Sequence, residues 1–519
     1  MASRPLAAMT PPGGTPTVPT GDAPARTGWT GVHAARRFTG PGLRRLAMPG
    51  LLLPVAVGVG GLSTYSHKLA IAACLAVAVV ACVWVRPALA TYLVIGVTPL
   101  TAGIDRGLAI PLLRPSEALA LLVGGALAAR GLVGWRTGGL PTLRLHRVEA
   151  YMLLMAAASS AVPILWMMAR HREITHDDFL YALVMWKYVG VYVIVRASIS
   201  TDRQVRRCLW ISVAAACVVA AVAIVQSLGL FGVPRLLATY YAPFGHSGAW
   251  PARGSSTLAL PAATADLLIF NLAIVGGMWL RGRRHAVPLA AAATLFVLGV
   301  LSAGEFSSAL GLVVGVVCLA AVTGSPRLLL WFVPALGISA ETLRPVIERR
   351  LTGFQSASGL PVSWTGRLDN LRTYFWPKLG SDWNFLFGVR PAARVPVASQ
   401  ATGYVWIESG YTWLLWGGGI PLLASFVLFV RSVAVTAWRA ARGDAGPVGL
   451  AGIATFVAVV VTTVLMAFDP HLTYRGAADA SFCLLALTIP RGRPSPGGSA
   501  TRATTQVPTP AQQVTEVRT

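Results

Sequence analysis

A late stretch of the chain, SWTGRLDNLRTYFWPKLGSDWNFLFGVRP (363–391), combines arginines and aromatic side chains within a mostly apolar sequence. It lies inside a polar connection, residues 344–405, that carries eight basic and three acidic side chains. A guanidinium group binds phosphate through paired, charge-assisted hydrogen bonds, so this composition favours binding of an anion. We single out Arg367, Arg372 and Arg390 as candidates. The simpler alternative is that they pair with lipid phosphates or with neighbouring carboxylates.

Glu408 follows this connection, at the start of the next apolar segment. A carboxylate beside an acceptor hydroxyl is suited to general-base catalysis, so Glu408 is a candidate base. The alternative is an acidic residue at a helix N-terminus that complements the helix dipole. Arg253 and His246 precede another apolar segment and are candidates for substrate binding. A simpler interpretation of His246 and His471 is that both are polar loop residues.

Lys187 lies inside the apolar stretch ALVMWKYVGVYVIV and is one of three lysines in the chain. A charge within a membrane is costly and is a functional candidate by default. Lys187 is therefore a further candidate for substrate binding. The alternative is a side chain whose ammonium group extends to the membrane surface.

The composition of the chain is that of a membrane protein. Of its 519 residues, 55% are hydrophobic and 12% charged, and the mean hydropathy is +0.63. Soluble proteins carry about 25% charged residues. Apolar stretches of about 20 residues recur, and each is long enough to cross a hydrocarbon core of about 30 Å. The sequence thus predicts an all-α, polytopic transmembrane bundle with about 12–14 spans.

Candidate spans follow one another between residues 46 and 489, which form the predicted transmembrane domain. They are 47–63, 69–85, 87–104, 116–132, 148–168, 179–197, 208–229, 258–280, 286–302, 307–324, 328–343, 410–430, 447–468 and 474–489. The flanking segments, 1–45 and 490–519, are rich in Pro, Gly, Thr and Arg and are predicted to be disordered cytoplasmic tails.

Arginine-rich connections alternate along the predicted spans. With the basic N-terminal tail in the cytoplasm, the connections containing Arg136, Arg206 and Arg431 all fall inside, as the positive-inside rule requires. Both termini are then cytoplasmic, and the connection 344–405 lies outside the cell membrane. The net charge of +24 therefore reflects orientation in a lipid bilayer, and we expect no nucleic-acid partner.

The six cysteines lie in or beside apolar segments, and none forms a CxxC motif. This pattern is typical of small core residues rather than of a disulfide framework or metal site. We therefore expect neither a metal nor another cofactor.

Several motifs occur in a recognisable order. They are Gly366-Arg367, LFGVRP (386–391), Glu408-Ser409-Gly410-Tyr411 followed by Gly417–Ile420, RGSSTLALPAATADLL (253–268) and RPSEALALLV (114–123). Together with a large external loop late in the chain, they resemble the O-antigen ligase / O-antigen polymerase family. The chain departs from the family pattern in three places: Glu408 stands where ligases often have histidine, Ala262 replaces asparagine after Pro261, and Glu305 replaces an arginine.

The resemblance implies a metal-independent, C-type glycosyltransferase with glycan donors carried on undecaprenyl pyrophosphate. It would transfer the glycan to a growing polysaccharide or a lipid core at the outer face. Glu408, Arg367 and Arg372 are then the catalytic candidates, because a pyrophosphate leaving group gains negative charge that arginines stabilise. Two alternatives remain: a multispan transporter or flippase of lipid-linked glycans, and a non-catalytic partner of polysaccharide assembly. A transporter commonly shows two similar halves, and the sequence shows no such repeat.

Overall fold

The computed structural model describes residues 67–106, 113–138, 145–241, 253–282, 285–344, 347–348, 362–398 and 403–489. Its first helices are α1 (His67–Val85), α2 (Ala88–Thr101), α3 (Pro115–Gly138), α4 (Arg147–Ala169), α5 (His176–Ala182), α6 (Val184–Ser198), α7 (Asp202–Ser227) and α8 (Val233–Tyr240). Next come α9 (Pro261–Arg281), α10 (Ala286–Ser302), α11 (Phe306–Thr323) and α12 (Arg327–Thr342). The last elements are α13 (Val362–Asn370), α14 (Trp376–Leu379), α15 (Asn384–Phe387), β1 (Arg394–Pro396), β2 (Tyr404–Trp406), α16 (Gly410–Gly443), α17 (Pro447–Leu465) and α18 (Ala477–Thr488).

The predicted all-α bundle is confirmed, because apolar helices make up most of the described chain. Eight of these helices are at least 18 residues long and apolar enough to cross a membrane, with α5 and α6 counted together. Four shorter apolar helices, α1, α2, α10 and α18, accompany them. Large apolar side chains such as Leu121, Leu165 and Leu330 are exposed on the outer helices, as lipid contact requires. The predicted first span, 47–63, lies outside the described residues.

Helix α9 forms the centre of the bundle. Every residue from Pro261 to Val275 is buried. A helix that is apolar on all sides is stable only when neighbours surround it, and here α7, α10, α11 and α17 pack against α9. Pro261 occupies the first turn. A backbone N–H at this position has no intrahelical acceptor, so the lack of an N–H in proline costs no hydrogen bond.

Different contacts connect the segments at the two ends of the bundle. At one end of the bundle, α7, α10 and α17 finish and α9, α16 and α18 begin. We call this end the site end. Backbone hydrogen bonds connect these segments there: Gly254 N–H donates to the Ser302 carbonyl (3.0 Å) and Gly410 N–H to that of Met466 (2.7 Å). At the opposite end, the arginine end, Arg281 donates to the carbonyl oxygen of Ala441 at 2.7 Å.

The described part of the connection between α12 and α16, residues 362–398 and 403–409, folds over the site end. Helix α13 continues through a wider π-helical turn, Leu371–Phe375, into α14. Leu371 and Phe375 are buried, whereas Leu368 on α13 is 37% exposed. Strands β1 and β2 then pair antiparallel, with Val395 opposite Val405. This short strand pair is not a feature that the apolar pattern predicts.

Helix α16 is broken near its start, and the connection docks into the break. Gly418 and Gly419 have non-helical backbone angles, and Gly419 has a φ of 63°. The freed carbonyl of Trp416 accepts a hydrogen bond from Val389 N–H at 2.7 Å. A Cβ atom at Gly419 would lie 2.2 Å from the carbonyl oxygen of Leu386, so only glycine fits this close approach.

Candidate functional site

Charged side chains from five separate segments meet at the site end. Arg253 precedes α9, Glu305 caps α11, Arg367 lies on α13, and Glu408 precedes α16. The connection between α17 and α18 contributes Asp469 and His471. We call the following set the polar cluster: Arg253, Asp266, Glu305, Arg367, Glu408, Asp469 and His471.

Arg367 is the centre of the polar cluster. Its Nη1 lies 2.7 Å from Asp469 Oδ2, and its Nε lies 3.8 Å from Glu408 Oε1. Asn370, one turn further along α13, donates from Nδ2 to Glu408 Oε2 at 3.3 Å. Burial lowers the pKa of Arg367, but Asp469 and Glu408 outweigh this effect and raise it. The guanidinium group therefore remains charged and holds the two carboxylates in place.

Arg253 and Glu305 form the outer edge of the polar cluster. Arg253 Nη1 lies 3.4 Å from Glu305 Oε1, and the two side chains are 46% and 12% exposed. The second carboxylate oxygen of Glu305 is buried without a hydrogen-bond donor among the described residues. Glu305 also acts electrostatically on Arg367 and Asp469, so its carboxylate links the two arginines of the cluster.

Asp469 is held in an environment that favours proton uptake. Burial raises its pKa, while Arg367 and His471 lower it, and the repulsion of Glu305 and Glu408 adds to the rise. The resulting pKa is about 6. A carboxyl group whose pKa lies near the working pH can both accept and release a proton.

His471 and Asp266 form a buried pair behind Asp469. His471 Nδ1 lies 2.7 Å from Asp266 Oδ2, and the side chains are 0% and 1% exposed. Burial lowers the pKa of His471, but the charge and hydrogen bond of Asp266, together with Asp469, raise it overall. Nε2 of His471 and Oδ1 of Asp266 have no hydrogen-bond partner among the described residues.

The polar cluster contains more carboxylates than arginines. Its four carboxylates face two guanidinium groups and one imidazole, so the site combines anion-binding with proton-accepting groups. Arg475 lies on the same connection as Asp469 and His471, but the charges that act on it are those of Arg114, Asp105 and Glu117, outside the polar cluster. Burial, with the nearby charge of Arg114, lowers the pKa of Arg475 to about 10. Within the described part of the chain, no group of His, Cys, Asp and Glu has the arrangement of a metal site.

The other sequence-predicted residues lie apart from the polar cluster. Arg390 Nε donates to Oδ1 of the fully buried Asp178 at 2.9 Å, which ties the connection to α5. Lys187 Nζ lies 2.8 Å from Asp479 Oδ1, between α6 and α18. Arg372 is exposed on the π-helical turn. His246 lies outside the described residues.

Three carboxylates of the polar cluster were not predicted as site residues from the sequence. They are Asp266, Asp469 and Glu305, of which Glu305 was named only as a departure from the family pattern. His471 does lie in a connection, as interpreted, but it is fully buried. The signal that could have found these residues is the rarity of acidic groups in apolar segments, since such groups mark functional sites. Asp266 lies within an apolar segment, and Asp469, His471, Arg475 and Asp479 fall within FDPHLTYRGAAD (468–479).

Comparison with known proteins gives no match: none of the protein-family models, curated proteins or solved structures resembles the chain significantly.

Proposed function

We propose that the chain is an integral membrane glycan ligase or polymerase. It transfers sugar chains from an undecaprenyl-pyrophosphate donor to a glycan or lipid-core acceptor at the outer face of the cell membrane. The observation that carries this proposal is the polar cluster, which gathers arginines and carboxylates from five segments at one end of an apolar bundle.

The location of the polar cluster suits a substrate that stays in the membrane. A polyprenyl tail remains in the hydrocarbon region, so its pyrophosphate can reach only sites at a membrane surface. Arg253 and Glu408 are the most exposed members of the cluster, at 46% and 33% of their side-chain surface. A ligand that enters from the surface therefore meets Arg253, Glu408 and Arg367 before the buried pair.

The side chains supply both kinds of group that the transfer needs. Arg253 and Arg367 would stabilise the charge that the leaving pyrophosphate gains. A carboxylate of the polar cluster would accept the proton of the acceptor hydroxyl, and the sequence predicts Glu408 in this role. Arg372, Arg390, Lys187 and His246 remain candidates for catalysis or substrate binding, although the described contacts do not bring the first three into the cluster.

The proposal includes an orientation in the cell membrane. The bundle crosses the membrane about 12–14 times, both termini are cytoplasmic, and the connection 344–405 is outside. The arginine end supports this orientation, because Arg281, Arg442 and Arg196 all donate to helix-end carbonyl oxygens there. The polar cluster would then face the outside, where lipid-linked glycans are presented.

Deletion of the gene tests the proposed function. We expect loss or shortening of one surface polysaccharide together with accumulation of its lipid-linked precursor in the outer leaflet. Both effects should be reversed by the unaltered gene and not by a gene encoding Arg367→Gln. Unchanged polysaccharide and precursor levels in the deletion strain would contradict the proposal.

A transporter of lipid-linked glycans is the second candidate, and one observation favours it. Lys187 and Asp479 form an ion pair between α6 and α18, and charged pairs inside a bundle are common in proton-coupled transporters. The leaflet in which the precursor accumulates separates the two functions. Loss of a transporter leaves the precursor on the cytoplasmic side, whereas loss of a transferase leaves it on the outer side.

A further inference from the structure

Asp469 lies where the exposed and buried parts of the polar cluster meet. Side-chain exposure falls from 33% at Glu408 to 11% at Asp469 and 0% at His471. A small group that approaches from the surface can thus reach Asp469, while His471 and Asp266 stay shielded behind it.

We propose that Asp469, rather than Glu408, accepts the proton of the acceptor hydroxyl, and that the buried His471–Asp266 pair sets its proton affinity. This inference rests on the proposed transfer reaction and assigns a further residue of the same site. It makes Asp469 a catalytic residue, because the carboxylate contacts the reacting hydroxyl. His471 and Asp266 are positioning residues that act through Asp469.

Contacts with α13 distinguish the two carboxylates. Glu408 is contacted at both oxygens: Oε2 accepts a hydrogen bond from Asn370 Nδ2 at 3.3 Å, and Oε1 forms an ion pair with Arg367 Nε at 3.8 Å. Asp469 is held through Oδ2 alone, by Arg367 Nη1 at 2.7 Å. Its Oδ1 has no donor among the described residues, so this oxygen is available to a ligand hydroxyl. An oxygen without a donor is the better proton acceptor, because hydrogen bonds to a carboxylate stabilise its charged form.

The transfer step balances with these groups alone. The acceptor oxygen forms a bond to the anomeric carbon while the bond between that carbon and the pyrophosphate oxygen breaks. Pyrophosphate leaves with the electron pair and is stabilised by Arg367 and Arg253. The hydroxyl proton moves to Asp469 Oδ1 and later passes to external water. A pyrophosphate that draws Arg367 away from Asp469 also increases the proton affinity of the carboxylate, since a compensating charge is removed.

Charged groups from every neighbouring segment act on Asp469. Arg367 and His471 lower its pKa, and Glu305 and Glu408 raise it. Tyr474 lies on the same connection, and burial raises its pKa well above the usual value, so it stays neutral. Arg253 and Asp266 act through their partners Glu305 and His471. Of the positive groups that act on Asp469, His471 is the one shielded from water. Water therefore cannot compensate for the loss of its charge.

The pH dependence of the reaction follows from these signs. A base works when it is deprotonated, so glycan output should fall as the external pH is lowered through about 6. His471→Gln removes a positive charge that lowers the pKa of Asp469. The pKa of Asp469 then rises, and the acid limb of the pH profile moves to higher pH. A purely structural role of His471 would lower the output at every pH without moving this limb.

Complementation of the deletion strain tests the inference. The variants are Asp469→Asn, Asp469→Glu, Glu408→Gln and His471→Gln, with Asp369→Asn as the matched control, since Asp369 is an exposed carboxylate of α13. The readouts are surface glycan, lipid-linked precursor and the amount of chain in the membrane, each at several external pH values. We expect Asp469→Asn to lower output about a hundredfold or more, as for loss of a general base, and Glu408→Gln to lower it less than about tenfold.

Each remaining outcome has a defined meaning. Full output with Asp469→Asn, or an unshifted pH profile with His471→Gln, overturns the inference while the proposed function stands. If Asp469→Asn fails to reach the membrane, the pH profiles of Asp469→Glu and His471→Gln decide, because both keep a carboxyl group at this position. An unaltered glycan in the deletion strain overturns the proposed function and the inference together.

Discussion

Partial burial gives the side chains of the polar cluster their chemical properties. Arg367, Asp469 and Glu408 are 22%, 11% and 33% exposed, so water screens their charges only in part. Charges in such an environment interact more strongly than on a protein surface. The charge of each group in the cluster is therefore stabilised by its partners. Removal of one charged side chain leaves the charge of its partner uncompensated.

Replacement of Arg367 should affect transfer more than folding. Arg367→Lys keeps the charge but lacks the planar, two-donor geometry, so it should restore the activity of Arg367→Gln only in part. Loss of one charge-assisted contact costs about 1.5–3 kcal/mol, or roughly ten- to a hundredfold in transfer. The measurement is glycan output in the complemented deletion strain.

Arg235→Gln is the control for this prediction, because Arg235 is an exposed arginine of α8. It should leave output unchanged. Equal output from Arg367→Gln and Arg235→Gln would show that the charge of Arg367 is not used in transfer.

The Lys187–Asp479 pair makes a prediction about stability. The ammonium group and the carboxylate are 22% and 3% exposed, so Lys187→Met leaves Asp479 as an uncompensated buried charge. Breaking such a pair costs about 3–5 kcal/mol. The midpoint of thermal unfolding of the purified chain should therefore fall clearly.

The double variant Lys187→Met/Asp479→Asn removes both charges and should recover most of the lost stability, because an amide oxygen can still accept the Gly476 N–H bond. If the double variant is as unstable as the single one, the charge pair is not the source of the loss. Recovered stability without recovered glycan output would instead show that the Lys187–Asp479 pair is used in function.

Some residues of the polar cluster could be predicted from the sequence and others could not. Arg253, Arg367 and Glu408 stand out because they are charged residues in or beside polar connections between apolar segments. Asp266 and His471 are 205 residues apart, so their pairing depends on how α9 and α17 pack. Sequence spacing carries no information about such a contact.

At the scale of elements, the break in α16 determines where the described part of the connection 344–405 docks. Gly419 has a φ of 63° and lies against the backbone of Leu386. A side chain there would both strain the backbone and push α15 away. The connection that presents Arg367 and Glu408 thus depends on a glycine outside the polar cluster.

Gly419→Ala should loosen this docking. The strained backbone alone costs of order 1–3 kcal/mol, and the steric overlap with Leu386 adds to it. We expect a lower unfolding midpoint and faster proteolysis within the connection. Gly190→Ala in α6 is the matched control, because a Cβ atom there meets nothing within 4 Å. Equal proteolysis of the two variants would contradict a docking role for Gly419.

The helices were predictable, but the details of the late connection were not. Apolar runs of sufficient length predict helices wherever the chain must satisfy its backbone in lipid. Strands β1 and β2, the π-helical turn and the break in α16 instead arise from contacts between distant segments. Val389, for example, bonds to Trp416 across the break.

For the whole molecule, the two ends of the bundle should face opposite sides of the membrane. Thr373→Cys marks the exposed connection at the site end, and Leu145→Cys marks the exposed start of α4 at the arginine end. Each is introduced after replacement of the native cysteines, since Cys74 and Cys82 are exposed. In intact cells, an impermeant thiol reagent should label Thr373→Cys and not Leu145→Cys. The reverse pattern would contradict the proposed orientation.

The most direct test of the account is release of polyprenyl pyrophosphate by the purified full chain. The substrate is the lipid-linked glycan extracted from the deletion strain, reconstituted with the chain and an acceptor glycan in lipid nanodiscs. We predict that the unaltered chain releases free polyprenyl pyrophosphate and extends the acceptor, while Arg367→Gln does so roughly ten- to a hundredfold more slowly and Asp469→Asn about a hundredfold or more slowly. Intact lipid-linked glycan after incubation with the unaltered, folded chain would contradict the central claim that the polar cluster transfers glycans.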